Sequence, residues 1–338
     1  MKRLLTATLV LLCTGGLLTY ALWDVDLAAL GELLASARYA MLAPFLVALT
    51  GFFWLKAWRW AMILAPLGRY RVREVTPAMM VGFAANNVLP AHLGELVRAV
   101  LFARRYRQGI AAVLVSQVLE RLLDIAAVVA LYLLAVAWVD EAPAVIRSSV
   151  WLVAVCAALG TAIVFALALA PGPMLATWRA LARALPRWLR DKGDALLVSV
   201  VQALASVRSP LALLALLGNS VAQWTLMVVA VWLSLGAFGE SVTPAVAAIV
   251  LAATVVAVTL PSAPGYVGAI QAAFVFALRP FGVSEEIAFA ASVFFLVCQW
   301  IPVTALGALL FTAAGMASNE VRGAVREIEG GSARSTGC

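Results

Sequence analysis

The sequence predicts an all-α polytopic membrane protein, and composition, run length and charge distribution each support this fold class. Hydrophobic residues make up 64% of the 338 residues and charged residues only 12%, whereas soluble domains contain about 45–50% and about 25%. Several apolar runs exceed the roughly 20 residues that a helix needs to cross a hydrocarbon core. Because a bilayer leaves no backbone group solvated, these runs are expected to cross as helices. The composition excludes a disordered chain and a nucleic-acid-binding protein.

We expect about six full transmembrane helices. The first, Leu4 to Leu22, follows Lys2 and Arg3, and we interpret it as a retained span, with a cleaved signal peptide as the alternative. The other full spans are predicted over residues 40–65, 110–138, 149–170, 210–237 and 286–315.

Two further apolar regions, 77–102 and 243–279, are interrupted by proline and glycine, which break helices. The interrupting residues include Pro90 and Gly94 in the first region and Pro261, Pro264, Gly265 and Gly268 in the second. If the first region crossed the membrane, the arginines on its two sides would face opposite compartments, against the basic bias of cytoplasmic loops. We therefore interpret both regions as re-entrant hairpins of two half-helices.

In this topology the formal net charge of +7 is distributed unevenly between the two sides of the membrane. The cytoplasmic side has 17 basic and 6 acidic residues, and the outer side has 3 basic and 8 acidic residues. Short cytoplasmic loops are enriched in Lys and Arg, so both termini are predicted to be cytoplasmic. Most of the charge therefore orients the protein, and a charge of +1 remains within the membrane.

The two interrupted regions are similar to each other. Val75-Thr76-Pro77 begins the first and Val242-Thr243-Pro244 the second, and each continues to Leu-Pro with a glycine four residues after that proline. Residues 75–138 and 242–315 are therefore predicted to be repeats of opposite orientation, as in many transporters. Broken helices at membrane depth line cavities, and their N-termini favour anions. We expect the two breaks to meet and form an anion site.

Seven charged residues lie outside the predicted surface loops: Lys56, Arg59, Glu95, Arg98, Glu120, Arg121 and Asp124. Each costs about 2.5–3.5 kcal/mol at the centre of a transmembrane helix, so pairing or a function is expected. We expect Lys56 and Arg59 to snorkel toward the inner interface.

Polar residues of the span 110–138 share one helical face, because Gln117, Glu120, Arg121 and Asp124 follow the spacing i, i+3, i+4 and i+7. We expect this face to point inward. Two interpretations remain open: a structural ion-pair cluster that includes Arg98 and Glu95, or arginines that hold an anionic headgroup while a carboxylate exchanges protons.

The breaks of the hairpins contain few other polar groups. His92, the only histidine, is either a hydrogen-bonding filler or a proton relay. Asn86 and Asn87 are expected to satisfy the broken backbone. Since the second hairpin has only Tyr266 and Gln271 near its break, the site is expected to be built mostly by the first repeat.

Residues 1–316 are predicted to form a single transmembrane domain, followed by a short, partly disordered cytoplasmic tail at 317–338. Within the domain, segment 171–208 interleaves arginines with apolar residues, which predicts a basic amphipathic helix on the inner leaflet. The four cysteines are dispersed, so no disulfide framework, metal site or cofactor is expected.

Two stretches, Asn86 to Arg98 and Ser116 to Asp124, resemble the transmembrane domain family of lysylphosphatidylglycerol synthase. Lys56 to Trp60 and Leu260 to Gly268 are similar to further motifs of the family, and together the motifs cover about residues 40–315. The resemblance implies a flippase-like protein of the bacterial cytoplasmic membrane. In the bifunctional synthases a soluble domain transfers lysine from tRNA to the lipid. This chain ends shortly after its last predicted span, so lysyl transfer is not expected.

The resemblance implies substrate-binding roles for Asn87, Pro90, Gly94, Glu95, Arg98, Glu120, Arg121, Asp124, Pro261, Pro264, Gly265 and Gly268, and we add His92 because it adjoins them. The second hairpin of the family often continues to an acidic residue near the position of Gln271. Because this chain has Gln271 there, the resemblance does not imply that the second repeat contributes a carboxylate to the site.

These observations favour a translocase for an anionic lipid, such as an aminoacylated phospholipid, a polyprenyl-phosphate carrier or a modified isoprenoid lipid. The expected partners are membrane lipids. One alternative is an accessory scaffold that recruits a lipid-modifying or glycosyl-transferring enzyme through its basic inner surface. Another is an intramembrane transferase that uses Glu95, His92 or Asp124 as acid or base. Because no nucleophile adjoins a base and no phosphate loop is present, enzymatic activity is not expected.

Overall fold

The computed structural model describes residues 27–89, 93–139, 209–259 and 264–313, with a few isolated positions elsewhere, and every element in these ranges is helical. The helices are α1 (Leu27–Ser36), α2 (Leu42–Ile63), α3 (Val72–Val88), α4 (Leu93–Tyr106), α5 (Ile110–Trp138), α6 (Pro210–Gly236), α7 (Pro244–Ala257), α8 (Ala269–Leu278) and α9 (Glu285–Ala313). Short 3-10 turns at Tyr39–Met41, Pro264–Tyr266 and Arg279–Phe281 adjoin α2, α8 and α9.

Four helical segments of the described chain are long and apolar enough to cross a membrane: Tyr39–Ile63, Ile110–Trp138, Pro210–Gly236 and Glu285–Thr312. They coincide closely with four of the predicted spans, so the prediction of a polytopic all-α membrane protein is confirmed. The predicted spans at residues 4–22 and 149–170 and the tail at 317–338 lie outside the described residues. The basic segment 171–208 is described only at isolated positions.

The first interrupted region forms an antiparallel helical hairpin of α3 and α4. The Tyr106 hydroxyl at the end of α4 donates to the carbonyl of Glu74 at the start of α3, at 3.1 Å. The predicted start at residue 77 is too late, because the Glu74 carboxylate accepts the Arg71 N–H at 2.6 Å and caps a first turn at Val72. The break follows the extended residue Leu89.

The second interrupted region consists of α7 and α8, which pack against each other. Pro244 occupies the first turn of α7, and Thr243 caps it by accepting the Val246 N–H. At the break, Gly265 and Gly268 have φ values of +77° and +86°, a left-handed conformation that favours glycine.

The open ends of the two hairpins lie at opposite ends of the helix bundle. Helix α3 runs antiparallel to α9, since Asn87 donates to Thr304 at 2.9 Å while a methyl group built on Gly307 would contact Met80 and Ala84. The start of α3 therefore lies toward the C-terminal end of α9. The second hairpin instead leads into the N-terminal end of α9.

The breaks of the two hairpins meet beside Trp300. Its indole N–H points to the Asn87 carbonyl at 3.4 Å, and a methyl group built on Gly265 would contact the same indole ring. The described ends of both breaks therefore lie against the central part of α9, as the sequence predicted for two breaks that meet.

The helix packing is reciprocal between the two repeats. Helix α3 of the first repeat packs on α9 of the second, and α7 of the second packs on α5 of the first. The helices that precede the repeats, α2 and α6, pack on each other. This pattern supports the predicted internal repeat, whereas the re-entrant placement of the hairpins in a membrane stays a prediction.

Candidate functional site

An alternating chain of five charged side chains crosses the interior of the described bundle: Arg98, Glu120, Lys56, Asp124 and Arg59. Arg98 Nη2 lies 2.8 Å from Glu120 Oε2, and Lys56 Nζ lies 3.0 Å from Glu120 Oε1 and 2.9 Å from Asp124 Oδ2. Arg59 Nη2 completes the chain at 2.6 Å from Asp124 Oδ1. All five residues are at most 5% exposed. Each of the five buried charges therefore has an oppositely charged partner on another helix, and the chain keeps an excess of one cation.

The snorkelling predicted for Lys56 and Arg59 is wrong, because these residues are only 4% and 0% exposed. Spacing along α2 placed them near the inner end of a span, where long basic side chains usually reach the interface. Here Asp124 of α5 supplies a carboxylate at the same depth, so the two cations are satisfied inside the protein.

Helix α6 completes the shell around Asp124. Gln223 Nε2 and Trp224 Nε1 donate to Asp124 Oδ1 at 3.1 and 2.8 Å, and Arg59 Nη1 donates to Ser220 Oγ at 2.7 Å. Among the described residues, the Asp124 carboxylate thus accepts from four side chains. An acid–base role for Asp124 is disfavoured by this saturation.

The sequence reasoning missed this contribution of α6. A signal was present, because Asn219, Ser220 and Gln223 lie on one face of an otherwise apolar span, and all three are buried. Uncharged polar residues are less costly in a membrane than charged ones, so their presence in a span is a weaker signal of a site than a charge.

Arg98 is held in a fixed orientation by two neighbours. Its guanidinium carbon lies 3.6 Å from the centre of the Trp60 ring, while Glu120 accepts from its Nη2. Trp60 is fixed in turn, because its indole donates to Ser116 Oγ at 3.1 Å. The stacking adds a cation–π attraction to the ion pair.

A second ion pair, between Arg121 and Glu95, lies at the edge of the cluster. Arg121 Nε donates to Glu95 Oε1 at 3.1 Å, and Arg121 Nη2 also contacts this oxygen. Their side chains are 49% and 34% exposed. The prediction that this helical face points inward is therefore wrong for Arg121, which lies at the edge of the face and turns toward α4. The prediction is confirmed for Gln117, Glu120 and Asp124, which are buried.

A pocket opens at this edge between α2, α3, α4 and α5. It is lined by Lys56, Gly82, Phe83, Asn86, Gly94, Glu95, Arg98, Gln117, Glu120 and Arg121. The charged lining residues are three cations and two carboxylates, which is an excess of one cation. The excess is unchanged when the buried pair of Arg59 and Asp124 is included. The pocket can therefore accept a single negative charge without leaving a net charge buried.

A sequence model of the family described as lysylphosphatidylglycerol synthase TM region matches residues 5–307, which is most of the chain. The chain belongs to this family. A comparison with curated proteins finds no match. The matched range contains the whole ion chain and pocket, so the family resemblance carried by the motifs is confirmed.

In this member of the family, the helix N-termini at the two breaks are partly satisfied within the chain. The Gly94 N–H donates to Asn86 Oδ1 and the Gly268 N–H to Gln271 Oε1, each at 2.7 Å. Asn86 thus satisfies the broken backbone as predicted. Asn87 instead donates to Thr304. Polar side chains next to the breaks therefore occupy one N–H group at each N-terminus that the sequence predicts to favour anions.

The predicted site residues separate into two groups. The pocket gathers Gly94, Glu95, Arg98, Glu120 and Arg121. The second group lies at the hairpin breaks: Asn87, Gly265 and Gly268 do not line the pocket, and Pro264 begins the 3-10 turn at the second break. Asp124 lies behind the pocket in the ion chain, and Pro90, His92 and Pro261 lie outside the described residues.

The second repeat approaches the first hairpin through the 3-10 turn Pro264–Tyr266, which packs on α3. The lining itself comes from α2 and the first repeat. Within the described ranges, no group of three or more His, Cys, Asp or Glu side chains is placed to hold a metal ion.

Proposed function

We propose that this protein is a translocase that moves an anionic lipid across the bacterial cytoplasmic membrane. The observation that carries the proposal is the pocket with one excess positive charge beside the junction of two oppositely facing hairpins. The lipid classes are those that the sequence favours, namely aminoacylated phospholipids, polyprenyl phosphates and modified isoprenoid lipids.

The side of the bundle on which the pocket opens supports a lipid ligand. Val118 and Ile125, at positions i−3 and i+4 from Arg121, are 58% and 51% exposed, and Leu93 near Glu95 is 44% exposed. The ion pair at the pocket mouth therefore lies within an exposed apolar surface, which in a bilayer faces acyl chains. A headgroup can exchange with Glu95 on Arg121 while its tails stay on this surface.

Six arginines support a cytoplasmic placement of the open end of the first hairpin: Arg69, Arg71, Arg73, Arg104, Arg105 and Arg107, all exposed. The two chain segments that carry them are joined, because Gln108 Nε2 donates to the Leu67 carbonyl and the Tyr70 hydroxyl at 3.2 and 3.0 Å. Such a surface attracts the anionic lipids of the cytoplasmic leaflet.

Reconstitution into liposomes tests the proposal. With fluorescent anionic lipids in one leaflet, wild-type protein should accelerate their movement, and Arg121→Gln should slow it about tenfold or more, because a hydrogen bond to a charged group contributes about 1.5–3 kcal/mol. Arg121 is half exposed, so this change should leave folding intact.

The matched control is Arg279→Gln, which removes another exposed arginine paired with a glutamate, Glu285, at 3.7 Å. It should transport like the wild type. Equal transport by Arg121→Gln and wild type would contradict the headgroup role, and no movement of any anionic lipid would contradict the translocase.

The arginine surface also favours a second candidate, an accessory scaffold that recruits a lipid-modifying or glycosyl-transferring enzyme. This function needs the surface and not the pocket. Under it, purified protein would move no lipid by itself, and replacing Arg104 and Arg105 with glutamine would abolish co-purification of the enzyme, whereas Arg121→Gln would not.

A further inference from the structure

We propose that the pocket has a neutral subsite beside its anion site, in which Gln117 binds an uncharged hydrogen-bonding group of the same ligand. The inference rests on the proposed function and adds a specificity-determining residue to it. The ligand class is an organic phosphate that carries hydroxyl or amide groups near its charge.

Gln117 is a pocket side chain whose hydrogen-bonding capacity the described protein leaves unused. It lies on α5 one turn before Glu120, lines the pocket and is 5% exposed. Neither its Nε2 nor its Oε1 has a hydrogen-bond partner among the described residues. A buried polar group without a hydrogen-bond partner is destabilising, so this amide is a natural contact for a ligand.

The chemistry of an amide distinguishes between ligands. Its nitrogen donates and its oxygen accepts, so both atoms are satisfied only by a ligand that offers an acceptor and a donor. Ionised phosphate oxygens are acceptors only, and they match the Arg98 Nε–H, which is also without a partner in the described part of the chain. Gln117 Oε1 requires a hydroxyl or N–H donor. Since both amide atoms are shielded from solvent, the side chain must turn toward the pocket mouth on binding.

Two lipids of equal charge test the subsite: phosphatidylglycerol, whose headgroup carries hydroxyls, and phosphatidylmethanol, whose headgroup carries none. Full-length protein in nanodiscs should bind the first about two- to tenfold more tightly, as one net hydrogen bond predicts. Gln117→Leu should remove this preference by weakening phosphatidylglycerol binding alone. The unfolding temperature should not fall, because the change removes two unsatisfied buried atoms.

Gln299→Leu is the control, because Gln299 Oε1 is also buried without a described partner but the residue does not line the pocket. It should keep the lipid preference. No preference in the wild type, an unchanged preference in Gln117→Leu, equal weakening of both lipids, or a lower unfolding temperature would each overturn the subsite.

A competition experiment distinguishes a lipid ligand from a free organic phosphate. If soluble glycerol phosphate displaces labelled phosphatidylglycerol at equal concentration, the ligand of the subsite is a free organic phosphate. If it does not displace the lipid, the ligand is a lipid. If the Gln117-dependent preference is present while liposomes show no lipid movement, the proposed translocation is contradicted and the subsite stands.

Discussion

At the residue scale, Asp124 is the residue on which the buried charges depend most. Its carboxylate accepts from Lys56, Arg59, Gln223 and Trp224, which belong to two helices other than its own. Glu120 is shared between Arg98 and Lys56 and lines the pocket. The ion chain therefore has an interior end that holds three helices together and an outer end that lines the pocket.

Asp124→Asn should lower the free energy of unfolding by about 3–5 kcal/mol, because it leaves buried cations without their counter-charge. Adding Lys56→Met should recover part of this loss, since one uncompensated cation is then removed. Equilibrium unfolding in detergent micelles measures both effects. Wild-type stability of Asp124→Asn would show that the ion chain does not hold the helices together.

At the element scale, the first hairpin depends on close approach of its two helices. A methyl group built on Gly94 would overlap the Gly82 carbonyl and Asn86, and one built on Gly82 would lie 2.6 Å from Arg98 Cβ. Glycine is therefore required at both positions by contact rather than by backbone conformation. The same contact places Arg98 and Asn86 on the pocket wall.

Gly94→Ala should separate α3 from α4 and destabilise the protein by about 1–3 kcal/mol, the usual cost of overpacking. Lipid transport should fall with it, because the pocket wall moves. Gly218→Ala on α6 is the control, since nothing lies within 4 Å of a methyl group there, and it should be neutral or stabilising. Thermal unfolding distinguishes the two variants, and equal behaviour would refute the close-contact argument.

At the scale of the whole molecule, the two repeats face opposite ways around a shared junction. The hairpins open at opposite ends of the bundle, and their breaks meet beside Trp300. The reciprocal packing of α3 on α9 and α7 on α5 has the form expected for two inverted repeats.

Cysteine labelling in intact cells tests this orientation. In a background with the four native cysteines replaced by alanine, Ser241→Cys near the start of the second hairpin should react with an impermeant maleimide added outside. Gly109→Cys after the first hairpin should react only once the membrane is opened, because the basic loops are retained in the cytoplasm. Labelling of both positions from one side would contradict the inverted topology.

Helix positions and the fold class were predictable from the sequence, because both follow from local properties. Apolar run length defines a span, and proline and glycine mark the breaks, so α5 begins and ends where the sequence predicts. The shared inward face of Gln117, Glu120 and Asp124 follows from helical periodicity in the same way.

The pairing of charges was decided by the tertiary structure. Lys56 and Arg59 have the same local sequence whether they snorkel or lie buried, and the outcome depends on Asp124, which lies on another helix. Sequence by itself determined which charged residues lie in the apolar segments and that they needed partners, because the cost of a buried charge is a property of the residue. Only the packing of α2, α4, α5 and α6 decided which partners they have, because electrostatic compensation depends on distances between helices far apart in the chain.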